Sequence, residues 1–316
     1  MTALSRRAAL GGAAAFAAAG CQSLFTGRTP DFDEGLTLFI ADVHVSGTEP
    51  EFAYTRERLA AFVAAVLARA PLPRRVVCFG DLARFHGRRE DYALAVSLLK
   101  PLSDAGIELT VGLGNHDRHD LFFEHFPDAA RRSPVPGAAV SVVPLAHCDL
   151  LMLDSLDAAA EGGEGGGRLC EAQQTWLKRT LPAWPRPVIV CAHHDHEELK
   201  VEDYPLAVLL GRSPQVKGYV FGHVHRWTTG WYHRHVWAAA DHVWPQASLP
   251  SLGYWGDIGW AEFRTTPARA TLALRQNDFF FPRPVGWGAG GLSARPPEWD
   301  DIRASHEHAT CTFRLA

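Results

Sequence analysis

Five apolar runs in this chain each end abruptly in side chains able to bind a metal: "FIADVH" (39–44), "CFGD" (78–81), "VGLGNHD" (111–117), "VCAHH" (190–194) and "VFGHVH" (220–225). A continuous apolar run of strand length is what a strand covered on both faces requires, and such strands belong to parallel sheets in α/β folds. Ligands in open α/β sheets bind beyond the carboxyl ends of the strands. Singly, each polar tip could be a turn or a helix cap, because Asp, Asn and Gly suit both. Repetition at every strand end requires a fold that brings those ends together.

The intervening segments supply the helices. In "RERLAAFVAAVLARA" (56–70), Leu59, Phe62, Val63, Val66 and Leu67 place apolar side chains on one helical face. Strands are expected over 36–42, 74–81 and 107–117, with a further helix over 90–102. Repeated strand–helix–strand units imply a parallel sheet carrying helices. Beyond residue 139 the pattern changes: two strands joined by a short turn (139–157), a helix (169–181), then strands at 187–196 and 217–225. "GWYHRHVWAAA", "GWAEFRT" and "ATLALRQ" suit the edge of a mixed sheet, "EGGEGGG" (161–167) reads as a flexible surface loop without a site signature, and 282–316 is the least legible part.

The chain of 316 residues accommodates one large α/β domain, expected over 36–316, with 22–35 as a polar linker. A net charge of −4 and the absence of a long basic run argue against a nucleic-acid partner. The first 21 residues read as an export signal: Arg6 and Arg7 resemble a twin-arginine motif, followed by an Ala/Gly stretch too short to span a bilayer. "AAGC" (18–21) resembles a lipoprotein box, in which Cys21 would carry the only membrane attachment, although Ala18 stands where Leu is commoner. The reading is therefore a periplasmic or envelope protein. Cys78, Cys148, Cys170, Cys191 and Cys311 form no CxxC pair, and no disulfide framework is expected.

Carboxylate, imidazole and amide oxygen without a thiolate cluster suit borderline divalent metals such as zinc, iron or manganese. The donors are too many for one tetrahedral ion and divide between two, with Asp81 the natural bridge because a carboxylate has two oxygens to share. The ordered series "DVH", "GD", "GNHD", "H" and "GHVH", together with Gln173-x-x-Trp176-Leu177, resembles the calcineurin-like metallophosphoesterases of exported bacterial type from Leu36 to Trp227. The resemblance implies a four-layer αββα sandwich of two mixed sheets flanked by helices. It also implies a first metal on Asp42, His44, Asp81 and His225, and a second on Asp81, Asn115, His193 and His223. His193 is taken by register, with His194 as the alternative. The segment "LARFHG" after Asp81 lacks the short polar turn usual in the family, a departure that falls on the substrate side.

The expected activity is hydrolysis of a small phosphodiester or phosphomonoester by a metal-activated hydroxide. His116 would stabilise developing charge or protonate the leaving alkoxide, and Asp117 would orient its ring. Arg84, His86, Arg118 and His119 follow ligand tips and read as solvated loop residues, with substrate contact as the alternative. His233, His235 and His242 could line the pocket. The rival reading is a non-catalytic metal- or ligand-binding envelope lipoprotein on the same fold. Substrate, metal identity and oligomeric state are not written in the residues.

Overall fold

Register explains how residues far apart in the chain are gathered. In the computed structural model, which describes residues 30–163, 165–201, 206–231, 244–280 and 309–316, β1 (Phe32–Ile40) runs parallel to β2 (Leu72–Cys78), and β2 parallel to β3 (Glu108–Val111). Ile40 pairs with Cys78 and Cys78 with Val111, so all three strands finish level. On the other side of β1, β10 (Gly256–Thr265) is antiparallel, followed by β11 (Arg269–Phe280) and β12 (Thr310–Arg314). The first sheet therefore has the order β12-β11-β10-β1-β2-β3.

The second sheet is built the same way. β4 (Ser141–Pro144) and β5 (Asp149–Met152) form the expected antiparallel pair, and β5, β6 (Val188–Ala192) and β7 (Val216–Phe221) run parallel. β9 (Pro245–Ser248) follows β7 in parallel, and β8 (Thr228–Trp231) closes the edge. Ala192 pairs with Phe221, so β6 and β7 also finish level.

Three apolar clusters define four layers. Between the sheets lie Phe39, Phe79 and Phe263 from the first, packed with Met152, Ile189, Cys191 and Val220 from the second. The outer face of the first sheet is covered by α1 (Ala53–Leu67) and α2 (Arg89–Asp104). Helix α1 buries Leu59, Phe62, Val63 and Val66, four of the five positions read from the sequence, while Leu67 is exposed. The far face of the second sheet is covered by α5 (Glu171–Thr180) and α6 (Leu206–Gly211). The result is the αββα sandwich of mixed sheets. Residues Asp31–Ala316 form one compact unit, whereas the proposed export signal and most of the linker lie outside the described residues, as do His233, His235 and His242.

Three short helices escape the periodicity argument: α3 (His119–His125), α4 (Pro127–Arg132) and α6. Each is at most two turns, and in α6 all six residues are buried, so no polar face exists to betray the period. The last strand is keyed into the core: Phe313 of β12 is fully buried, and a Cβ placed on Gly218 of β7 would fall 2.1 Å from its ring. Gly218→Val is expected to overpack this seam and cost about 1–3 kcal/mol. A denaturant midpoint equal to that of the wild type would show that β12 does not pack against β7 in solution.

Candidate metal centre

The level strand ends deliver the polar tips to one place. Asp42 and His44 follow β1, Asp81 follows β2, and Asn115 follows β3; His193 follows β6, and His223 and His225 follow β7. All except His223 are buried. The backbone is bent to achieve this: Asp42, His44, Asp81, His223 and His225 have φ between 47° and 66°, the left-handed region that side-chain-bearing residues avoid. Such strain persists where the surroundings enforce it, and it clusters at functional sites.

Ligand atoms of Asp42, His44, Asp81 and His225 lie within 4.8 Å of one another, as do those of His193, His194 and His223. His44 Nε2 is 3.2 Å from His225 Nε2 and 3.4 Å from Asp81 Oδ2, and His225 Nε2 is 3.2 Å from Asp42 Oδ1. His193 Nε2 is 3.3 Å from Asp81 Oδ2 and 3.1 Å from Asn115 Oδ1. Asp81 thus stands between both groups, the position of a bridging carboxylate.

The tautomers show what these atoms want. Nδ1 of His44, His193 and His225 each faces a backbone carbonyl, of Arg84 (3.1 Å), Phe79 (3.0 Å) and Trp255 (3.1 Å). A neutral ring that donates through Nδ1 presents a bare lone pair at Nε2. The Asn115 amide is fixed the same way: Nδ2 donates to the Gly163 carbonyl at 2.7 Å, turning Oδ1 towards His193. The Nε2 nitrogens therefore converge on carboxylate and amide oxygens, an arrangement that cations stabilise and that carbonyl-held imidazoles typify around metals. The donor set fits two divalent ions.

His194 occupies the rim of this cluster differently. Its Nδ1 is 2.9 Å from Ser155 Oγ and its Nε2 3.3 Å from the Gly165 carbonyl, so both nitrogens have partners away from Asp81. His223 Nε2 lies 3.5 Å from the exposed Glu198 carboxylate, a neighbour that no motif in the sequence signals.

Electrostatics follow from burial and crowding. Burial resists charge on Asp81, yet the imidazoles of His193, His116 and His44 outweigh it and hold the carboxyl well below its ordinary range. Burial opposes charge on His193, but the Asp81 carboxylate raises it to about 9, so a metal ion at Nε2 would displace a proton held there. Burial lowers His223 to about 4, with His193 adding repulsion.

The expected pairing of Asp117 with His116 does not form. The Asp117 carboxylate accepts hydrogen bonds from the backbone N–H groups of Leu82 (3.3 Å), Ala83 (3.1 Å) and Gly114 (2.9 Å) and from the Tyr92 hydroxyl (3.0 Å). It ties the loop after β2 to the loop after β3 and has no lone pair left for an imidazole. His116 is oriented instead by the Phe85 carbonyl, 3.1 Å from Nδ1, and by packing against the rings of Phe85 and His44 at 4.9 and 5.2 Å. Its backbone N–H donates to Asp81 Oδ1 at 3.0 Å.

The other loop residues divide. Arg118 is a solvated residue paired with Asp120. Arg84 is buried, its guanidinium stacked 3.8 Å over Phe52 and 4.1 Å over Tyr254, which corrects its reading as a solvated residue. His86 faces the Gly162 carbonyl and His119 bridges two carboxylates, Asp154 and Glu161. The glycine-rich segment is also more than a surface loop, since Gly163 and Gly165 touch Asn115 and His194. Backbone carbonyls carry no residue-type signal, so these supports could not be read from sequence. Asp117→Ala is expected to strand three N–H groups and the Tyr92 hydroxyl and to lower stability by at least about 2 kcal/mol. A variant of wild-type Tm with a shifted pH–rate profile would restore the role of Asp117 as orienter of His116.

Comparison with known proteins agrees with this geometry. The chain is 33% identical over 140 residues to a probable cyclic nucleotide phosphodiesterase of Rhodopseudomonas palustris, covering 44% of this chain and 48% of that protein. It is 28% identical over 172 residues to a probable glycerophosphodiester phosphodiesterase of Arcobacter nitrofigilis, covering 50% and 59%. The chain thus spans about half the length of the curated relatives it matches. A dimetal phosphatase from Danio rerio shares the fold, with a TM-score of 0.57 at 14% identity over 77% of this chain and 96% of that one. The family model described as calcineurin-like phosphoesterase matches residues 36–227, which contain every strand tip described above. The chain belongs to the calcineurin-like phosphoesterase family.

Proposed function

We propose that this protein hydrolyses a small phosphodiester at a pair of divalent metal ions. The observation that carries the reading is the convergence of imidazole Nε2 atoms, carboxylates and one amide oxygen about Asp81. Asp42, His44, Asp81 and His225 would hold the first ion, and Asp81, Asn115, His193 and His223 the second. Bound there, two divalent ions acidify water to give a nucleophile at neutral pH and neutralise charge on the phosphoryl oxygens. His193 is assigned over His194 because its Nε2 faces Asp81 and Asn115, while both nitrogens of His194 are engaged elsewhere.

The chain's own groups supply the rest. His116 has Nδ1 held by the Phe85 carbonyl, which leaves Nε2 for the substrate. It is only part-buried, unlike Asn115 beside it and Asp81, as a group that meets substrate must be. There it protonates the leaving alkoxide or stabilises charge growing on the phosphoryl group. Asp117 acts at one remove, by fixing the loop on which His116 stands. The diester preference is supported by both curated relatives, each described as a probable phosphodiesterase. The Arg6-Arg7 segment supports export to the periplasm or envelope, and Cys21 supports a lipid anchor there.

His116→Ala is expected to bind two metal equivalents as the wild type does and to lower kcat on a chromogenic phosphodiester about 10²–10⁴-fold. Equal turnover by the two proteins would remove His116 from the chemistry, and no turnover by metal-loaded wild type on a broad ester panel would sink the hydrolase reading. Asp81→Asn removes the shared carboxylate charge and is expected to weaken binding at both positions. Loss of one ion with full retention of the other would show that Asp81 is not a bridge.

A further inference from the structure

Residues 161–163 of the glycine-rich segment lie against the proposed second metal position, and an ionic contact helps to fasten them there. Three hydrogen bonds stitch them to the loop after β3: Gly162 N–H donates to the Asp117 carbonyl (3.0 Å), Gly163 N–H to the Asn115 carbonyl (3.1 Å), and Asn115 Nδ2 to the Gly163 carbonyl (2.7 Å). The last of these decides which end of the Asn115 amide faces His193. If the Gly163 carbonyl withdraws, the amide loses the contact that aims its oxygen.

Glycine-rich backbone has little intrinsic reason to stay in one conformation. Beside these hydrogen bonds and those of the Gly162 and Gly165 carbonyls with His86 and His194, an ionic partner is His119, the first residue of α3. Its Nδ1 meets Glu161 Oε1 at 2.5 Å, and its Nε2 meets Asp154 Oδ2 at 2.8 Å. A ring that donates from both nitrogens is an imidazolium. Asp154 is the fixed end: it is buried, accepts the Ala139 N–H at 2.8 Å, and its backbone exchanges two hydrogen bonds with the Gln173 side chain. Glu161 is the loop-borne end. The neighbouring cation, Arg118, is committed to Asp120.

We infer that Glu161 and His119 form a latch that holds the Gly163 carbonyl on Asn115 and thereby sets the affinity of the second metal position. Both are positioning residues, acting through Asn115, and the inference rests on the reading of Asn115 as a ligand. Charge on the ring is supported by its surroundings: burial disfavours it, but Asp154 and Glu161 outweigh burial and raise His119 to about 9. A raised value means that the latch is closed at neutral pH and opens as pH climbs through about 9.

The test is chelator competition with Mn²⁺ on the full chain, with hydrogen exchange followed over the segment around Gly162 and Gly163 in metal-free protein. Asn115→Ala first identifies which binding step is the second position. Glu161→Ala is expected to weaken that step about tenfold, leave the other step and Tm unchanged, and lose protection around Gly163. Glu161→Gln, which keeps an acceptor without the charge, recovers part of both, and His119→Gln behaves as Glu161→Ala does. Wild-type protection falls above pH about 9, and Glu161→Ala shows no such step. Wild-type metal affinity in Glu161→Ala, or equal weakening of both steps with a parallel fall in Tm, overturns the latch while leaving the metal centre intact. A wild-type chain that binds fewer than two ions overturns the metal centre and the latch together.

Discussion

Everything at this site depends on a crowd of imidazoles, carboxylates and one amide oxygen that the fold holds together in a buried seam. Polar atoms in such surroundings carry a desolvation cost unless partnered. The counterweight is the outward side of each group. Main-chain carbonyls of Phe79, Arg84 and Trp255 grip the rings. The apolar core is thus a frame whose task is to keep these neighbours from turning away.

The same logic accounts for the left-handed backbone at five ligand positions. A loop leaving a strand in ordinary conformations would carry its side chain along the strand direction, away from the neighbouring tip. The chain turns in this way at Asp42 and again at His44, whose side chains serve one pocket. Gly114, beside the ligand Asn115, shows how little room remains: a Cβ there would lie 2.1 Å from Asp81 Oδ1. Glycine at that position is required by close approach rather than by φ, and its side-chain hydrogen leaves the bridging carboxylate where it is.

Much of this was legible in the residues, and the limits have physical causes. Strands read well because continuous apolar runs such as those ending at Ile40, Cys78 and Phe221 have few other ways to be buried. The two-sheet architecture came only through the family resemblance that the ordered series of polar endings carries, and α1 announced itself through Leu59, Phe62, Val63 and Val66. Partners of Asp117 were misread because proximity in sequence suggested His116, whereas a carboxylate at that turn is better satisfied by three amide donors and the Tyr92 hydroxyl. The glycine-rich segment looked featureless for a related reason: it works through its main chain, which every residue shares. Arg84 was misplaced because its aromatic neighbours, Phe52 and Tyr254, stand some distance off in the chain.

The pairing of β1 with β10 has a temporal side. Leu36 is matched with Arg264, and the strand that seals the inter-sheet core, β12, is drawn from residues 310–314. A chain emerging amino-terminus first must therefore carry β1 with an open edge until β10 is made. Contacts so distant along the sequence slow closure and prolong the interval in which an unpaired edge can recruit another molecule. Closure of the first sheet thus waits on β10, and chaperone protection during translation would matter most for its first strand.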